Sequence, residues 1–107
     1  TIVQGTAHLI DLPPTFYELA GADYPQKRQG LVQHALPGRS LVPLFSGGLL
    51  QRPEPIFWER AGNRAVRQGK WKIVSTYPDY KWELYDLEAD RGETTDLAAK
   101  FPQMVNE

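Results

Sequence analysis

The chain has 107 residues, 41% hydrophobic and 23% charged, which fits one ordinary folded domain and excludes the disordered and collagen-like classes. Twelve Lys and Arg against thirteen Asp and Glu leave a net charge of −1, so no basic face able to track a phosphate backbone is expected and nucleic acid is not a partner. With no cysteine there is no disulfide framework, thiolate zinc site or thiol nucleophile, and no apolar run approaches the roughly 18 residues that suggest a membrane span.

In chain order, Thr1-Ile2-Val3 opens without a Met, and both ends read as cut. The first helix is predicted over 11–20: Asp11 can cap it, Pro13 and Pro14 lie in the tolerated first turn, and Gly21 supplies a left-handed stop. Leu12, Phe16, Leu19 and Ala20 recur at helical steps and are expected on one buried face. Residues 24–37 carry Gln, Lys, Arg, His and Gly without a period and read as a surface loop. A second helix is predicted over 40–45, with Ser40 as cap and Gly47 as stop.

The paired prolines of Arg52-Pro53-Glu54-Pro55 exclude a helix across them, so the chain divides into a helix-and-loop segment, 1–52, and a strand half, 53–107. Strands are predicted over 56–59, 64–67, 70–74 and 82–87. The first three run in sequence, with Gln68-Gly69 as the tight turn between the second and third. Thr94 to Leu97 leads toward a short helix opening at Pro102, where a missing N–H costs nothing. The expected fold class is α+β: a small four-stranded antiparallel sheet with a packed helix, preceded by a helix-and-loop segment.

Side chains with chemical potential are sparse. His8 and His34 sit in no metal-binding spacing and read as surface or capping residues. Residues 88–94 hold three carboxylates but lack the calcium-loop pattern and read as a solvated turn. Trp58, Trp71 and Trp82 fit cross-strand packing, with an exposed stacking platform as the competing role. No phosphate loop, nucleophile elbow or paired acid is visible.

Four stretches in fixed order resemble the end of the sulfatase polypeptide. His8-Leu9-Ile10-Asp11-Leu12-Pro13-Pro14-Thr15-Phe16-Tyr17-Glu18-Leu19-Ala20-Gly21-Ala22 is similar to a His/Asp lead-in to a helix ending in Leu-Ala-Gly. Gly38-Arg39-Ser40-Leu41-Val42-Pro43-Leu44-Phe45 resembles the family's Gly-Arg-Ser-Leu-x-Pro-Leu element. The third, 57–72, resembles the arylsulfatase strand pair. Glu83-Leu84-Tyr85-Asp86-Leu87-Glu88-Ala89-Asp90, followed by Glu93-Thr94-Thr95-Asp96-Leu97-Ala98, is the fourth.

The resemblance implies the C-terminal portion of a sulfuric ester hydrolase, packed on a catalytic domain whose substrate cleft its loops border. A sulfatase works with a formylglycine nucleophile beside a calcium-type divalent ion, and neither the Cys/Ser-x-Pro-x-Arg motif nor the Asp/Asn ligands match any segment here. No catalytic residue, metal ligand or cofactor is therefore assigned to this chain, which is expected to be inert alone. The family often has Glu-His-x-Gly-Asn where this chain reads Glu59-Arg60-Ala61-Gly62-Asn63, with Arg60 replacing His. Arg60, Asn63 and Arg64 are the candidate substrate-binding residues, expected on a loop whose guanidinium and amide donors suit an anionic sulfate ester. The expected partners are the missing N-terminal sulfatase domain and a sulfate ester. A periplasmic or secreted parent is compatible with the family, and an uncovered docking face would drive self-association of the fragment. Alternatives are a non-catalytic carbohydrate-binding or interaction module and the end of a related phosphodiesterase or phosphonate hydrolase.

Overall fold

The structure, a computed structural model, describes residues 2–107 and divides into two compact units, one ending at Arg52 and the other Pro53–Glu107.

In the first unit a 3-10 turn, Leu9–Asp11, runs directly into helix α1, Leu12–Leu19. His8 performs the capping that Asp11 was expected to supply. Its Nδ1 accepts from the Ile10 N–H at 3.1 Å, while the Asp11 carboxylate accepts from the His8 N–H at 2.8 Å, forming a reciprocal capping box. Asp11 makes no side-chain cap to α1 because its carboxylate faces back toward this turn. The stop is as expected: Gly21 has φ +62°, and the Ala22 N–H reaches the Tyr17 carbonyl at 2.9 Å. Within the predicted loop, β1 (Lys27–Arg28) and β2 (Leu31–Val32) form an exposed antiparallel hairpin. Its turn residues Gln29 and Gly30 have φ +51° and +82°, the mirror-image turn that matches strand twist. Helix α2, Val42–Phe45, begins after Leu41, with the Ser40 hydroxyl accepting from the Val42 N–H at 3.2 Å and Gly47 following at φ +78°.

The apolar stripe of α1 is not buried as its periodicity predicted. Phe16 and Leu19 are 61% and 60% exposed, and the buried residues of this unit are polar, Asp11 and Thr15. α1 packs against α2 and its own leading turn, and two short helices with a small hairpin form no second layer that could cover the stripe.

The second unit is a meander of four antiparallel strands in the order β3 (Ile56–Arg60), β4 (Asn63–Gln68), β5 (Trp71–Ser75) and β6 (Trp82–Asp86), followed by α3 (Pro102–Asn106). Opposed residues share a face because side chains alternate along each strand. One face carries the row Phe57, Val66, Ile73 and Leu84, flanked by Trp71 on one side and by Trp82, opposite Ser75, on the other. The reverse face carries the row Ile56, Arg67, Lys72 and Tyr85 beside the row Trp58, Ala65, Val74 and Glu83. Ile56, Leu84 and Tyr85 form the buried core, with Leu84 only 1% exposed. α3 packs on β6, and Phe101 at its start meets Trp71 edge-on at 5.8 Å, covering the β5–β6 end of the first face while Phe57 at the other end stays exposed.

The turn between β4 and β5 lies one residue later than predicted, at Gly69-Lys70, because Gln68 pairs with Trp71 and leaves Gly69 at φ +58°. The tryptophans do not form one platform: Trp58 is on one face, Trp71 and Trp82 on the other, and Trp71 is covered by Phe101.

Candidate functional site at the end of the sheet

Arg60 and Asn63 are the closing pair of the β3–β4 hairpin, and Arg64 is the next residue of β4. All three were expected at a loop facing the cleft, with Arg64 also opening the strand predicted over 64–67, which β4 contains. Arg60 and Asn63 belong to strands as well, because the connection contains only Ala61 and Gly62, at φ +52° and +86°. The register brings Arg60 and Asn63 to one face and puts Arg64, opposite Glu59, on the other. Both guanidiniums are exposed.

Asn63 is committed within the protein. Its Nδ2 donates to the Arg60 carbonyl at 3.2 Å, and its Oδ1 accepts from the Tyr77 N–H at 2.8 Å. One side chain thus holds the β3–β4 turn to the loop between β5 and β6. The same turn is tied by the Gly62 N–H donating to the Glu59 carboxylate at 2.8 Å. A Cβ on Gly62 would lie 3.2 Å from the Tyr80 hydroxyl, so the loop closes over the turn where only hydrogen fits comfortably. Tyr77 and Tyr80 stand edge to face at 6.1 Å and remain 73% and 48% exposed.

Two buried polar groups outside this edge are structural. Asp11, wholly buried, accepts from the N–H groups of His8 and Arg39 at 2.8 and 2.9 Å and from the Arg52 guanidinium at 2.5 Å. Burial would raise its pKa, but the Arg39 N–H, the Arg52 guanidinium and the His8 N–H together hold the carboxyl below the ordinary value. Thr15 continues the cluster, donating to the Asp11 carbonyl at 2.6 Å and accepting from the Leu41 N–H at 2.9 Å. In the second unit, burial and the hydrogen bond it donates to Glu83 at 2.9 Å push the Tyr85 hydroxyl up to about 12.

The acidic turn is likewise self-satisfied: the Asp90 carboxylate accepts from the N–H groups of Thr94 and Thr95 and from the Thr94 hydroxyl at 2.8 to 3.0 Å. No three His, Asp or Glu side chains converge as metal ligands among the described residues, so the residues present do not fit a resident divalent ion. Among the same residues no helix is long and apolar enough to cross a membrane.

No family profile matches the chain. An uncharacterized sulfatase of Schizosaccharomyces pombe is 34% identical over 105 residues, covering 92% of this chain and 19% of that protein. The choline-sulfatase of Rhizobium meliloti is 38% identical over 95 residues, 83% of this chain and 17% of its own length. Among solved structures, one described as a 2-O GAG sulfatase superposes with a TM-score of 0.62 at 27% identity, covering 90% of this chain and 21% of that one. The chain spans about a fifth of the length of the relatives it matches. The ordered motifs, the α+β fold and these matches agree, and the chain belongs to the sulfatase family, corresponding to its C-terminal region.

Proposed function

We propose that this chain is the C-terminal part of a sulfuric ester hydrolase of the arylsulfatase type, where it packs on the catalytic domain and borders the substrate cleft. The observation that carries this reading is the coverage: sulfatases match most of this chain, while it accounts for about a fifth of each. A divalent ion, calcium by the family's habit, and a formylglycine nucleophile belong to the remainder of that protein. The chain alone is not catalytic. Its own part is to dock and to present polar donors.

Docking is supported by the stripe Leu9, Leu12, Phe16 and Leu19, which is apolar, helical in period and uncovered. The donors are at the sheet's end, where Arg60 and Arg64 meet an anionic sulfate ester and Asn63 fixes the turn between them. The carbohydrate-binding alternative loses support because Trp71 is capped by Phe101 and Trp58 lies on the opposite face.

The test is sulfate release from aryl sulfates by the isolated chain and by the complete polypeptide, with and without Arg60→Ala. The isolated chain is expected to release none and the complete protein to release sulfate. Loss of one charge-assisted hydrogen bond at an exposed site is expected to raise KM by roughly tenfold. Unchanged kinetics for Arg60→Ala on several sulfate esters removes that residue from the cleft, and phosphodiester hydrolysis without sulfate release reassigns the parent reaction.

A further inference from the structure

We infer that Tyr77 and Tyr80 form a preorganised stacking wall for the ring of the sulfate ester's organic leaving group, with Asn63 as the residue that positions it. The inference rests on the cleft-bordering role proposed above and extends it from the sulfate to the group that leaves. Two exposed tyrosines on a loop would ordinarily be mobile, and an ordinary loop aromatic folds down onto nearby apolar surface. Here two main-chain hydrogen bonds and one close approach fix the loop that carries them. The Asn63 Oδ1 holds the Tyr77 N–H at 2.8 Å, and the Tyr80 N–H is held by the Thr76 carbonyl at 2.9 Å. The third is steric: the Tyr80 hydroxyl lies over Gly62, leaving no comfortable room for a Cβ there. Tyr80 is also kept at φ +50°, in the left-handed region where a bulky residue is strained, so the loop conformation is imposed by its surroundings. The two rings nevertheless stay 73% and 48% exposed. Aromatic surface fixed in place but left uncovered loses little further freedom on meeting a ligand.

Charge selects the ligand class. The wall is tied through Asn63 to the turn carrying Arg60, with Lys81 directly after Tyr80 in the chain. Cationic donors beside aromatic faces suit a molecule with an anionic substituent on a flat or saturated ring, such as an aryl or pyranosyl sulfate. They offer less to a short alkyl sulfate that has neither a ring nor a quaternary ammonium to lay on the tyrosines. The tyrosines act by binding, not by proton transfer. Asn63 acts through them, since both of its amide atoms are engaged within the protein: Nδ2 with the Arg60 carbonyl and Oδ1 with the Tyr77 N–H.

The experiment compares KM and kcat of the complete sulfatase polypeptide for a ring-bearing sulfate ester and for a short alkyl sulfate. The variants are Tyr77→Ala, Tyr80→Ala, Tyr80→Phe and Asn63→Ala. Each Tyr→Ala change is expected to raise KM for the ring-bearing ester about three- to tenfold, with kcat and the alkyl ester little changed. Tyr80→Phe should keep the wild-type value because it keeps the ring. Asn63→Ala, which also releases the Arg60 carbonyl, should raise KM for both esters, with the larger rise on the ring-bearing one. A loss of equal size on both esters, or no change on either, overturns the wall while leaving the sulfatase reading intact. Absence of sulfate ester hydrolysis by the wild-type polypeptide overturns both.

Discussion

The two units are built on opposite principles. The second buries apolar side chains on both faces of its sheet, with Leu84 and Ile56 at 1% and 4% exposure. The first buries Asp11 and Thr15 and leaves Leu9, Phe16, Leu19, Leu31, Val32 and Phe45 60% exposed or more. A sheet that buries its own apolar side chains has its driving force within reach. A helix whose stripe has no second layer leans more heavily on polar contacts, and those are directional, individually small and intolerant of a missing partner. The first unit thus leaves its apolar helix face uncovered, and the second has a core of its own.

The units should part most clearly at Asp11. Asp11→Ala removes the acceptor of two backbone N–H groups and of the Arg52 guanidinium, whose Nε is already buried without a partner. Leaving that cation unpaired is expected to cost about 3–5 kcal/mol, enough to unfold the first unit while the sheet persists. Hydrogen exchange read separately over 8–52 and 56–106 checks this, and equal protection loss in both would sink the idea of independent construction. The pH dependence follows the same sign. The folded carboxyl lies below its ordinary value, so its contribution is present above about pH 4 and is lost as pH falls through the folded pKa. Acid should accordingly open the first unit by titrating this group.

A matched pair of truncations probes the same contrast through apolar side chains. Leu84→Ala, 1% exposed on β6, is expected to cost about 2–5 kcal/mol by transfer and cavity terms together. Leu19→Ala, 60% exposed, should change the melting of the isolated chain by no more than about 0.5 kcal/mol. In the complete polypeptide the second change should become costly, because the stripe would then be buried. Thermal melts of both variants in both contexts decide it; a Leu19→Ala that stays neutral in the complete protein shows that the stripe is not a docking face.

The second unit is legible in the sequence because its signals are local. Alternation in 56–74 and Gly-containing turns specify hairpins, and the single slip, Gly69-Lys70 for Gln68-Gly69, arises because the pairing of Gln68 with Trp71 extends the ladder one residue beyond the alternating segment. The site residues are marked by type but not by position, since a two-residue turn puts Arg60 and Asn63 in strands and the register then separates Arg64 from them. Tyr77 and Tyr80 carry no periodic signal and read as loop. Their place is set by contacts that leave no periodic mark, among them the Asn63 bridge to Tyr77 across 14 residues. The first unit is harder to read for a related reason: Asp11 reads as a helix cap locally, while its partners Arg39 and Arg52 lie 28 and 41 residues away. Helical periodicity likewise marks an apolar stripe without saying which chain covers it.

The smallest expected effect tests whether the turns inherit the difference between the units. Ala61-Gly62 and Gln29-Gly30 are both mirror-image turns with a non-glycine residue at positive φ, +52° and +51°. Asn tolerates that conformation better than Ala or Gln, and Asn-Gly is the preferred pair for this turn. Ala61→Asn is expected to stabilise by about 0.5–1 kcal/mol, seen as a rise of a few degrees in the melt, because its hairpin is part of the cooperative sheet. Gln29→Asn relieves the same strain in a hairpin of two-residue, fully exposed strands. Its benefit should remain local, slowing exchange over 27–32 without moving the melt. Equal shifts from both substitutions would mean that the exposed hairpin folds cooperatively with the rest of its unit.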